Sequence, residues 1–95
     1  MLVDVYRVLC LDQNVTEDIA RALGRIQEGF KGADGCLGQR LLRDLKHRDS
    51  LIVVSYWSDT ESLARATALH AAIDEALDLL GVKTIPETYE IIQDL

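Results

Sequence analysis

His70 and Trp57 are the residues of this 95-residue chain whose types and places could do chemistry. An imidazole titrates closest to neutral pH of all side chains, which suits it to proton transfer. Trp57 closes the apolar run Leu51-Ile-Val-Val-Ser-Tyr-Trp57 and offers a flat surface for an aromatic ring. His70 lies on a stripe made of Leu63, Ala66, His70, Ile73, Leu77 and Leu80, steps of three and four that share one helical face. Glu61, Arg65, Asp74, Glu75 and Asp78 fall off that stripe, so the imidazole is aimed at the core. Tyr6 stands in the middle of an apolar strand, where a phenol needs a hydrogen-bond partner; Asp4 shares its face and Arg7 takes the other. Each residue also has a plain structural reading. Trp57 can be core bulk, His70 an imidazole held by a carbonyl, Tyr6 a core tyrosine, and Asp4 and Arg7 rim or ion-paired charges.

The elements that must position these residues run strand, helix, strand, strand, helix, strand. Residues 2–11 are β-branched and aliphatic on both alternating sets, Val3, Val5, Leu9 and Leu11 against Tyr6, Val8 and Cys10, the mark of a strand covered on two faces. Asn14 and Glu17 have capping-box spacing, and Ile19, Leu23, Ile26 and Phe30 recur at helical intervals until Gly32 and the Asp34-Gly35 turn. Residues 36–45 and 51–57 form two strands joined by the polar loop 46–50, with Arg40 and His47 turned to solvent. Ser58-Asp-Thr-Glu61 reads as the capping box of a second helix reaching Leu80 and stopping at Gly81. A straight helix of about 22 residues would outrun the strands beneath it, so a bend is expected near residues 67–69. A last strand is expected over residues 88–95, after Pro86.

That order predicts an α+β, ferredoxin-like βαββαβ fold: one domain over residues 1–95, with a four-stranded antiparallel sheet and both helices on one face. Strands 1 and 3 belong in the centre; the charged strands 2 and 4 belong at the edges. The face of strand 2 that meets the helices stays open at this level. Two helices cover one face only, so the other calls for a second copy of the chain, sheet on sheet. Sixteen acidic against ten basic residues leave a net charge of −6, which argues against nucleic acid as a partner. No apolar run approaches a membrane span, and Met1 leads directly into strand pattern without a leader, so the expected location is cytoplasmic. Cys10 and Cys36 lack metal-ligand spacing and read as reduced thiols; no metal is expected.

Asp34-Gly-Cys-Leu-Gly-Gln-Arg-Leu-Leu42, Leu51-Ile-Val-Val-Ser-Tyr-Trp57-Ser with Glu61-Ser-Leu63, and Leu69-His70-Ala-Ala together resemble the antibiotic biosynthesis monooxygenase family from first strand to last. The resemblance implies a dimeric α/β barrel with a pocket between sheet and helices. It also implies O₂-dependent oxidation of a small aromatic, polyketide or quinol without metal, flavin or other cofactor. His70 and Tyr6 would then be the catalytic pair, with Trp57, Asp4 and Val53 lining the substrate. The departures are specific. Haem-degrading relatives place an Asn where this chain has Tyr6, and a Trp and His where it has Ala66 and Ala76, which speaks against haem as substrate. The polyketide-oxidising branch has an Asn four residues before the strand-3 Trp, where Val53 stands here. The alternative is a non-catalytic module of the same fold that binds a small ligand or pairs subunits.

Overall fold

A computed structural model describes the backbone of residues 1–95 and every side chain except that of Leu79. Strand β1 (Leu2–Cys10) leads through a 3₁₀ turn (Gln13–Val15) to helix α1 (Thr16–Gly29), then to β2 (Cys36–Arg43), β3 (Ser50–Trp57), helix α2 (Thr60–Leu77), a second 3₁₀ turn (Asp78–Leu80) and β4 (Val82–Glu90). The sheet is antiparallel in the order β2-β3-β1-β4. The two apolar strands are therefore central and the two charged ones form the edges, the ferredoxin-like arrangement that the element order predicts.

Register fixes which residues meet the helices. Tyr6 lies opposite Val53 and Pro86, Val8 opposite Leu51 and Thr84, and Asp4 opposite Ser55 and Thr88. These, with Gln39 and Leu41 of β2, settle the helix-facing side of the sheet. The core is built from Tyr6, Val8, Cys10, Leu51 and Val53 below and from Ile19, Leu23, Leu69, Ile73 and Leu77 above. The opposite face carries Val3, Val5 and Leu9 beside Ile52, Val54 and Tyr56. Among the described residues, neither helix packs on that face.

Four details differ from the sequence reading. Helix α1 is preceded by a 3₁₀ turn whose cap is Asp12, its carboxylate accepting from Asn14 N at 2.9 Å, in place of an Asn14 capping box. Helix α2 is capped by Asp59, which accepts from Ser62 N at 2.7 Å, one residue after the expected Ser58. That helix runs unbroken from Thr60 to Leu77 and tightens into the 3₁₀ turn only afterwards, so the length mismatch is resolved at its end, not by a bend before His70. The last strand begins at Val82, just after Gly81 in the left-handed region (φ 65°), and ends at Glu90. Pro86 sits inside it because β4 is an edge, where a missing N–H costs no ladder bond.

Candidate active site at the β1–α2 interface

The buried line of α2 is Ser62, Ala66, Leu69, Ile73 and Leu77. His70 is therefore on the flank of that line, half-buried, and Leu80 is exposed. What draws the imidazole inward is Asp4. Its carboxylate is 2% exposed and lies 2.6 Å from His70 Nε2. A carboxylate only accepts hydrogen bonds, so Nε2 carries the proton in this pair and Nδ1 is the ring nitrogen left to act as a base.

Tyr6 completes the group. Its ring stacks on His70, centroids 4.0 Å apart and planes within 10°. Its hydroxyl donates to Asp74 Oδ1 at 2.5 Å and lies 3.1 Å from Thr84 Oγ1. Burial, followed by the Asp74 carboxylate that accepts its proton, pushes the phenol pKa up to about 12. The arrangement has a simple geometric origin. Two residues along a strand advance about 6.6 Å and four along a helix about 6.0 Å, and α2 runs parallel to β1. Asp4–His70 and Tyr6–Asp74 are thus neighbouring rungs of one ladder. Asp74 and Thr84, which the sequence did not single out, thus join the Asp4–Tyr6–His70 group. The i, i+4 spacing of Asp74 from His70 was the available signal; Thr84 had none before the β1–β4 register was known.

The remaining expected site residues are sealed. Trp57 is 1% exposed, and its indole N–H donates to Ser55 Oγ at 2.8 Å. Val53 is part of the core beneath Tyr6. The structure thus gathers Asp4, Tyr6 and His70, and sets Trp57 four residues along β3 from the position opposite Tyr6. The two cavities described lie elsewhere, one between α1 and β2 and one beside Arg43 and Asp49. Among the described residues, no three His, Cys, Asp or Glu side chains are placed to hold a metal ion, and no helix is long and apolar enough to cross a membrane.

The family model for antibiotic biosynthesis monooxygenases matches residues 11–74. The chain belongs to that family. No curated protein matches the sequence. Among solved structures, a candidate antibiotic biosynthesis monooxygenase from Deinococcus radiodurans superposes with a TM-score of 0.84 at 19% identity, covering 100% of this chain and 96% of its own. SnoaB, a cofactor-independent oxygenase from Streptomyces nogalater, gives 0.81 at 20% identity over 99% and 95%. MhuD, a haem degrader from Mycobacterium tuberculosis, gives 0.77 at 17% over 100% and 99%. At such identities, likeness to these structures speaks for the fold.

Proposed function

We propose that this protein is a cofactor-independent monooxygenase acting on a small, ionisable aromatic such as an anthrone or hydroquinone, and that it works as a homodimer. The observation that carries the reading is a buried carboxylate held against the one imidazole of the helix-covered layer. His70, 19% exposed at its side chain, takes the substrate hydroxyl or enol proton on Nδ1. Asp4, buried behind it, faces the resulting imidazolium and fixes the ring. The substrate anion then gives one electron to O₂; radical and superoxide combine, and the peroxide loses water to leave a carbonyl. For an anthrone the balance is CH₂ + O₂ → C=O + H₂O, and for a hydroquinone C₆H₄(OH)₂ + O₂ → C₆H₃(OH)O₂ + H₂O, the hydroxyquinone, with no outside reductant in either case. Tyr6 acts as a positioning residue, its ring stacked on the imidazole and its hydroxyl proton committed to Asp74.

Oxygen uptake with anthrone and with hydroquinone tests this. His70→Ala is expected to lower kcat by about 10²- to 10⁴-fold per folded molecule. Turnover no faster than the uncatalysed rate with either compound, or an undiminished variant, would sink the oxygenase reading. The competing reading, a ligand-binding or subunit-pairing module, is favoured by one observation: the Tyr6 hydroxyl and Trp57 indole are both satisfied inside the protein. Haem is not the proposed substrate, since Tyr6 and Ala66 are core residues here. Haem with ascorbate should give no ring-opened product.

A further inference from the structure

At the β2 edge of the sheet, a cleft of about 460 Å³ separates α1 from that strand. That volume falls in the range of small-molecule sites. Glycine makes the space. Gly24, Gly32 and Gly38 all line it, and a Cβ built on any of them would meet nothing within 4 Å. Gly32 has φ +82°, so its turn explains it. Gly24 is different: it is interior to α1 with ordinary helical backbone, where glycine costs about 1 kcal/mol relative to alanine. A local rule broken without a packing reason marks a place where open space is useful.

The wall beyond the glycines is chemically specific. Gln27 is 8% exposed and uses its side-chain N–H to hold the Arg40 carbonyl at 2.9 Å. That contact fixes the amide orientation, because a carbonyl must meet the NH₂ end. Gln27 Oε1 then has no protein partner among the described residues, and it is not one of the sealed orphan atoms. Gln39 donates to the Gln27 carbonyl at 3.1 Å, and its own Oε1 is a buried acceptor without a partner. Leaving such an acceptor unmet is costly and calls for an explanation. Two carboxamide side chains thus line one cleft, together with Leu37, Leu41 and Cys36 and the charged residues Glu28, Lys31 and Arg40.

We infer that the α1–β2 cleft is a second small-molecule site, separate from the Asp4–His70 pair, for a flat uncharged ring carrying hydroxyl donors. The ring lies along the glycine wall, and its hydroxyls meet Gln27 Oε1 and, after a small turn of that amide, Gln39 Oε1. Resorcinol is a suitable probe because it cannot form a quinone that would attack Cys36; 1,3-dimethoxybenzene has the same ring without donors. In ¹H–¹⁵N spectra of the intact protein, resorcinol is expected to shift the side-chain amides of Gln27 and Gln39 with a Kd near the millimolar scale of fragments. It should also slow iodoacetamide labelling of Cys36 about threefold or more at saturation, while Cys10, buried at 2%, stays unlabelled. The dimethoxy analogue should bind at least about tenfold more weakly, the order of one lost hydrogen bond. Gly24→Leu should abolish the shifts by filling the cleft. Shifts confined to the surroundings of His70, no shifts at all, or equal binding of the two rings would each overturn the proposal. Should Gly24→Leu fail to fold, the wild-type shift map and the two-ring comparison decide it.

Discussion

At the scale of single residues, the consequence of the Asp4–His70 pair is that neither partner can be removed cheaply. A carboxylate 2% exposed and left without its imidazole is a buried acceptor without its donor, and leaving such a group unmet costs at least about 1–3 kcal/mol. With Asp4 behind it, His70→Ala is expected to lower stability markedly whether or not it is catalytic. The informative measurement is a double-mutant cycle by urea denaturation. Asp4→Asn with His70→Ala should cost clearly less than the sum of the two single changes, and strict additivity would mean that the pair does not interact as drawn. Tyr6 supplies a pH prediction. Its folded pKa, about 12, lies above the ordinary 10.0 of an unfolded tyrosine, so the folded state holds that proton more tightly. The corresponding stability is fully present below pH 10 and is lost as pH rises from 10 toward 12. A titration followed at 295 nm should show a late phenolate component that Tyr6→Phe removes. A Tyr6 component near pH 10 would contradict the buried hydrogen bond to Asp74.

Elements explain what could and could not be read beforehand. The alternation of β1 and the apolar run of β3 follow from sheet burial, so the central pair was legible from residue types once the order of elements was known. The placement of His70 was legible only in part. Its spacing with Ile73 and Leu77 suggested the core, but the helix rotates so that Leu69 is buried instead, and a rotation set by packing against β1 has no local signal. The start of β4 was misread because Pro86 looked like a strand boundary, and edge position excuses it. Gly35 shows the opposite case, a residue whose necessity is visible only in three dimensions. Its φ is +80°, and a Cβ there would lie 2.3 Å from Ser62 Cβ and 1.9 Å from its Oγ. The turn into β2 is thus pressed against the first turn of α2, where Ser58 N also bonds the Gly35 carbonyl at 2.9 Å. Gly35→Ala combines an unfavourable φ with a clash that no rotamer of Ser62 relieves at its Cβ. The expected loss is about 2–4 kcal/mol in chemical denaturation, whereas Gly24→Ala, in open helical space, should be neutral or stabilising. Equal effects at the two positions would refute this account of the turn.

The whole molecule is two layers with a third missing. Helices seal one face of the sheet, while Val3, Val5, Leu9, Ile52, Val54 and Tyr56 line the other, with Leu42 and Tyr89 44% and 50% exposed beside them. This face also holds the Arg7–Glu87 ion pair at 2.7 Å, a charge pair satisfied within one chain that another sheet can cover without stranding a charge. Arg40 above the Tyr56 ring, 6.0 Å from its centroid, extends the same surface toward the β2 edge. A small domain left with so broad an apolar sheet face gains more from a second copy than from water, and obligate interfaces of this kind bury more than about 2,000 Å² in total. Sedimentation at low micromolar concentration should therefore give twice the chain mass. Val5, opposite Val54 and Glu87 near the middle of the face, is the position at which one charge should do most harm. Val5→Lys is expected to weaken association at least about 100-fold while retaining the helix-side core, because the substitution points away from it and would bury a charge between the two sheets. A wild-type chain that sediments as a folded monomer at that concentration would remove the sheet-on-sheet dimer, and a dimer indifferent to Val5→Lys would move the interface to another surface.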